Sequence, residues 1–259
     1  MNRKFGLIFL LICGISCSHN SANKATNFDK IIFSTSECMI RCPVINIIIS
    51  ADGNVVFKGQ GSSTKFGLFK GKISKKLYQQ IEANFEKANI DGIKSTYRTL
   101  ESDQRTVSTT FVKNGRIYKT VDDYGEIAPE SFRSSYAPLE NLYKTLLLAK
   151  DSVPKSIPFF EEITTSKLKN GNLVLDFTQS ETFLLADYLK KGKITVNNFQ
   201  PRFTLHFDYN EINPLYNVDT DGRFFKFIVK GKPIIIDIGF NFYDVNAKIW
   251  KWRKANAYD

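Results

Sequence analysis

The sequence is poor in the side chains that most chemistry needs. Its 259 residues hold two histidines, two methionines, two tryptophans and four cysteines. His19 falls in a polar N-terminal stretch, which leaves His206 alone in the part expected to fold. A lone imidazole cannot build a polyhistidine metal site. His206 also stands near no nucleophile-elbow motif, so nothing indicates a Ser-His-Asp hydrolase. Gly59, Gly61, Gly67 and Gly71 belong to no Gly-Lys-Ser or Gly-x-Gly-x-x-Gly pattern between a strand and a helix, which removes the usual phosphate cradle. No apolar run reaches the roughly 20 residues of a spanning helix. No basic run exceeds two or three residues, and no nucleic-acid partner is expected.

What is present begins with a leader. Arg3 and Lys4 precede an apolar stretch of about a dozen residues, Phe5 to Ser16, and then Cys17. A run this short, with a basic flank and no polar face, fits export better than a core helix. Gly14-Ile15-Ser16-Cys17 resembles the lipobox of bacterial lipoproteins, although Gly14 departs from the usual Leu, Val or Ala. The resemblance implies cleavage after Ser16 and acylation of Cys17, with palmitate-like chains anchoring the protein at about 0.8 kcal/mol per buried CH₂. Ordinary cleavage to a soluble protein is the alternative.

Cys13 leaves with the leader and Cys17 carries lipid, so Cys38 and Cys42 remain. In an oxidising compartment a close pair is expected to form a disulfide. Such a small ring contributes about 2 kcal/mol by loop entropy. A redox site would more usually read Cys-x-x-Cys, and zinc needs four ligands. The formal charge is +10, which becomes +8 once Arg3 and Lys4 are removed. A basic surface suits anionic lipid or phosphate, but lysines spread this evenly are expected to be a solvated face.

Residues 17–29 are small and polar and read as a flexible tether. A first unit spans residues 30–150. Ile31-Ile32-Phe33-Ser34 reads as a strand, and Asp52-Gly53 joins the β-rich runs Val44–Ser50 and Asn54–Gly59 in a hairpin. Ser74 is placed to cap a helix from Lys75 to about Ala88, with Leu77, Tyr78, Ile81 and Phe85 on its buried face. Arg105–Val112 and Ile117–Val121 flank the Asn114-Gly115 turn, and Asp122-Asp123-Tyr124-Gly125 reads as a loop. A second helix is expected from about Pro138 to Ala149, its face formed by Leu139, Leu142, Tyr143, Leu146 and Leu147. This order predicts an antiparallel sheet covered on one face by helices.

The Cys38-x-x-x-Cys42-Pro43-Val44 turn, the Asp52-Gly53 hairpin with Gly59, the Gly71-Lys72-Ile73-Ser74 helix entry and Asp122-Asp123-Tyr124-Gly125 resemble one family. It is the domain-of-unknown-function family six-four-three-eight, over roughly residues 30–149. The resemblance implies α+β architecture, an exported protein of Bacteroidota and a paired cysteine turn. It attaches no activity and no functional residue.

Residues 151–158 contain two prolines and read as a linker. A second α+β unit, residues 159–259, holds a strand at Asn172–Phe177 and a capping box at Thr178 and Glu181 that opens a helix through Leu189. It continues with an alternating strand at Arg202–Tyr209, and Asp221-Gly222 then turns Arg223–Val229 back toward Pro233–Ile238. Asp219-Thr220-Asp221-Gly222 echoes a calcium loop but lacks its remaining ligands. Asp122-Asp123 and Glu161-Glu162 are carboxylate pairs on single segments, read as solvated. Trp250 and Trp252 would share one face of a terminal strand among cations, a possible interface for a membrane or a sugar, or else a buried pair.

The expected fold is therefore α+β, two small domains, each an antiparallel sheet packed against one or two helices. No catalytic residue, metal or cofactor is assigned. The expected function is a lipid-anchored envelope module that binds or scaffolds, at the outer membrane facing the periplasm, with an envelope protein or glycan as possible partner. An envelope hydrolase, or a binder of a small ligand or glycan in the cleft between the domains, are the alternatives.

Overall fold

A computed structural model describes residues 27–39, 41–152, 163–208 and 216–256. The leader, Cys17, nearly all of the tether, most of the linker and Glu161-Glu162 lie outside the described residues.

The first half contributes β1 (Lys30–Thr35), β2 (Pro43–Ser50), β3 (Asn54–Gly61), β4 (Gly67–Lys72), α1 (Lys75–Lys87), β5 (Thr96–Arg98), β6 (Thr106–Lys113), β7 (Arg116–Tyr124), α2 (Glu130–Thr145) and β8 (Ala149–Lys150). The strands form one sheet in the order β5-β7-β6-β1-β2-β3-β4-β8. All neighbours are antiparallel except the short β5–β7 pair at one edge. Asp52-Gly53 makes the expected hairpin turn. Gly53 has φ 83°, and a Cβ there would lie 2.4 Å from the Ile73 carbonyl oxygen, so no other residue fits without a shift.

Helix α1 matches its sequence signature. The Ser74 hydroxyl accepts from the Leu77 N–H at 3.1 Å, and Tyr78, Ile81 and Phe85 are buried. Helix α2 does not. It starts at Glu130, eight residues before the proline expected to open it, and Pro138 lies inside it. Phe132, Tyr136, Leu139 and Tyr143 are buried at helical spacing, and this continuous stripe outweighs the missing proline bond. Pro138 itself faces solvent. The helix ends at Thr145, and Leu147, expected on its buried face, is 96% exposed.

Both faces of the first sheet are covered, where the sequence pattern predicted one. Ile31, Phe33, Ile45, Ile47, Ile49 and Phe57 pack under α1 and α2. Their strand neighbours Ile32 and Ile48, with Leu68, Val112 and Ile117, belong to a core shared with the second half. Burial on both faces is what produces the unbroken apolar run Ile47-Ile48-Ile49.

The second half contributes β9 (Thr165–Asn170), β10 (Leu173–Phe177), α3 (Gln179–Lys191), β11 (Lys193–Thr195), β12 (Phe203–Asp208), β13 (Tyr216–Thr220), β14 (Phe224–Val229), β15 (Lys232–Asp237), α4 (Phe242–Asn246) and β16 (Arg253–Lys254). Its sheet runs β11-β15-β14-β13-β12-β9-β10-β16. Phe203, Leu205 and Phe207 of β12 are buried while Thr204 and His206 are half-buried, the expected alternation. Thr178 and Glu181 form the capping box that opens α3. Phe183, Leu184, Leu185, Ala186 and Leu189 of α3 are all buried, because the helix lies between the two sheets. The fold is α+β, four layers deep: α1 and α2, the first sheet, α3, the second sheet.

Candidate functional site

The face of the first sheet that meets α3 carries a polar row. Register places Asp122 beside Ser108, Ser108 beside Ser34, Ser34 beside Asn46 and Asn46 beside Lys58. Five neighbouring strands thus each present one polar side chain to the seam between the halves. Ser34, Asn46, Lys58 and Ser108 are all at most 1% exposed.

The first turn of α3 is chemically matched to this row. The Ser180 hydroxyl lies 2.6 Å from the Ser108 hydroxyl and 2.7 Å from that of Thr110. Thr110 and Thr120 share a bond of 2.9 Å. Glu181 accepts from the Thr120 hydroxyl at 2.7 Å, the Trp250 indole N–H at 3.2 Å and the Thr178 backbone N–H at 2.9 Å. The Gln179 amide donates to the Thr35 carbonyl at 3.0 Å and to Asn46 Oδ1 at 3.2 Å. Lys58 Nζ donates to the Ile163 carbonyl at 2.7 Å. Of the row, Ser34 Oγ and Asn46 Nδ2 find no partner among the described residues.

Asp122 is the carboxyl of this site whose titration is displaced. Burial pushes its carboxyl up to about 6, and the nearby Glu181 charge adds to the rise. Arg98 and a hydrogen bond from Ser108 partly oppose it. Burial likewise holds the Lys30 ammonium below its usual range against the attraction of Asp187, with the charge 4.4 Å over the Tyr188 ring.

The Asp122-Asp123 segment is strand, not the solvated loop its sequence predicts. Asp123 points the other way from Asp122 and is fully buried. It accepts from the Ile127 and Ala128 N–H groups at 2.9 and 3.0 Å and from the Tyr136 hydroxyl at 3.2 Å. Two adjacent carboxylates on opposite faces cannot share a substrate.

Cys38 and Cys42 are joined by a disulfide with Cα atoms 5.4 Å apart. Asp221 closes the β13–β14 turn by accepting from the Arg223 and Phe224 N–H groups, each at 2.8 Å. No group of three metal-ligating side chains gathers among the described residues. His206 sits on the sheet face away from α3, beside Lys167 and Asn217 in register.

Trp250 and Trp252 are not on a common strand, since β16 begins only at Arg253. Both are half-buried. The Trp250 ring meets Phe177 edge-on at 4.8 Å, and the Trp252 indole N–H donates to the Tyr243 hydroxyl at 2.8 Å.

One groove opens at the seam. It holds about 650 Å³ between the β6–β7 hairpin and the segment through and beyond α4. Lys113, Asn114, Arg116 and Tyr118 come from the hairpin, and Asn246, Lys248 and Ile249 from the second half. Asn246 fixes the two walls together: its side chain accepts from the Ile117 N–H and donates to the Phe242 carbonyl, at 2.7 and 2.8 Å.

A cleft between the halves was among the expected alternatives, but none of the residues of the seam or the groove was foreseen as a site. Asn46 inside Val44–Ile49 and Lys58 inside Asn54–Gly59 are the signal, because each interrupts a run that is otherwise apolar. No curated protein matches the chain. Residues 29–143 match the family model of a domain of unknown function (DUF6438), a span that takes in β1 to β7, α1 and most of α2.

Proposed function

We propose that the protein is an exported envelope lipoprotein, held at the outer membrane by acyl chains on Cys17, whose folded part binds a partner and does not turn over a substrate. The leader and Cys17 support the anchoring. The oxidised Cys38–Cys42 turn is in keeping with a compartment outside the cytoplasm. No Asp or Glu follows Cys17 directly, which favours the outer membrane over inner-membrane retention.

The observation that carries binding over turnover is the composition of the seam groove. Its lining holds no carboxylate, histidine or thiol to act as nucleophile or as acid and base near neutrality. The polar groups that do converge, around Ser180 and Glu181, hydrogen-bond one another and hold the halves together. The groove also favours a small ligand or glycan in the inter-domain cleft over pure scaffolding, as its size is that of an ordinary ligand site.

Metabolic labelling with a fatty-acid probe tests the anchor: wild type takes up label and Cys17→Ser does not. Turnover assays on peptidoglycan, esters and phosphoesters test the rest. Saturable hydrolysis abolished by a single carboxylate or histidine substitution would replace the binding reading with the envelope-hydrolase one.

A further inference from the structure

We infer that the seam groove is a binding site for a small organic anion, one bearing phosphate or carboxylate on a ring or short apolar body. The inference rests on the binding reading above and names the ligand class.

Charge makes the first argument. Lys113 and Arg116 stand on one wall and Lys248 on the other, with no carboxylate in the lining. None of the three cations pairs with a carboxylate among the described residues. Two carboxylates that bond to the same hairpin near its turn are not part of the lining. Asp29 accepts from the Gly115 N–H at 2.7 Å, and Asp91 accepts from the Tyr118 hydroxyl. Three like charges on the lining of one concavity, with none of opposite sign, give it a positive potential that favours an anion. Arg116 adds a planar fork that matches a phosphate or carboxylate in two bonds.

Shape and rigidity make the second. About 650 Å³ is a groove of the size that takes a small organic molecule, more than one ion needs. The Tyr118 ring, 5.6 Å from the Lys113 ammonium, and the Ile249 side chain, 39% exposed, offer apolar surface for the rest of the molecule. The walls come from different halves of the chain, yet buried Asn246 bonds to both, so the backbone of the groove is set before the ligand arrives.

The test uses the purified full chain and two coumarin probes, 4-methylumbelliferyl phosphate and the uncharged 7-methoxy-4-methylcoumarin, titrated calorimetrically at neutral pH. The phosphate is expected to bind saturably with one-to-one stoichiometry, and the neutral probe not to. Arg116→Glu with Lys248→Glu is expected to weaken binding by at least about tenfold. Lys75→Glu with Lys76→Glu, the same charge change on the exposed face of α1, is expected to leave it unchanged. Equal weakening by both pairs, or binding of both probes alike, would show general charge attraction and overturn the inference. So would binding to phosphatidylglycerol vesicles with none to the soluble phosphate, since the patch would then be a membrane contact. Release of fluorescent 4-methylumbelliferone by the wild type, lost in the groove pair, would instead overturn the binding reading while keeping the site.

Discussion

Asp122 and Asp123 are chain neighbours with different surroundings, because successive strand side chains point to opposite faces. Asp123 is surrounded by donors, whereas Asp122 faces the seam beside Glu181. Its carboxyl, raised from 3.8 to about 6, holds its proton more tightly in the folded protein than in the unfolded chain. The folded state therefore binds more protons between those two values, and stability falls as pH rises through that window. Above it the ionised carboxylate destabilises the fold by up to about 3 kcal/mol. Asp122→Asn keeps an acceptor for Ser108 and removes the charge. Urea unfolding at pH 4 and pH 7.5 should show the variant gaining about 2 kcal/mol relative to wild type at the higher pH. A difference between the two proteins that is the same at both pH values would mean that the seam does not strain this group.

Elements with a local signature were readable, and those set by the other half of the molecule were not. Ser74 with Leu77 to Phe85 specified α1, Asp52-Gly53 specified its hairpin, and Thr178 with Glu181 specified the start of α3, each through contacts within a few residues. The start of α2 was obscured by Pro138, because a proline usually opens or ends a helix. Its ring faces solvent here, away from the buried stripe of the helix. The ring still removes a bond to the Ser134 carbonyl, four residues earlier. Pro138→Ala is thus expected to raise stability by about 1–2 kcal/mol, less than the full proline penalty because alanine also loosens the unfolded chain. A loss of stability in denaturant titration would show that the proline ring itself is required at this position.

The cysteine turn was equally local. Replacing both Cys38 and Cys42 by serine should cost about 2 kcal/mol, the loop entropy of so small a ring. The β1–β2 register should survive it, because six residue pairs and two buried apolar rows hold these strands independently. Far-UV circular dichroism should therefore be unchanged while the urea midpoint falls. Loss of the folded spectrum would make the bridge a condition of folding.

The matched domain ends at residue 143, yet its sheet does not end there energetically. Ile32, Ile48, Leu68, Val112 and Ile117 are buried against α3 and the second sheet. Exposing a buried side chain of this size costs about 1.5–3 kcal/mol, so five together rival the 5–15 kcal/mol that stabilises an ordinary domain. The polar row from Asp122 to Lys58 offsets part of this, since water would solvate it once uncovered. The apolar sum is still the larger. A fragment of residues 27–152 is accordingly expected to be aggregation-prone or loosely packed, binding a hydrophobic dye that the full chain does not bind. The full chain should unfold in one step. Both tryptophans lie in the second half, so their fluorescence reports that half alone, whereas far-UV circular dichroism reports both sheets. Coincident urea transitions by the two signals mean that α3 couples the sheets into one cooperative unit. Separate transitions, or a fragment as stable as the whole, would mean that the polar seam is a docking surface between two independent domains and that the groove beside it opens and closes as they move.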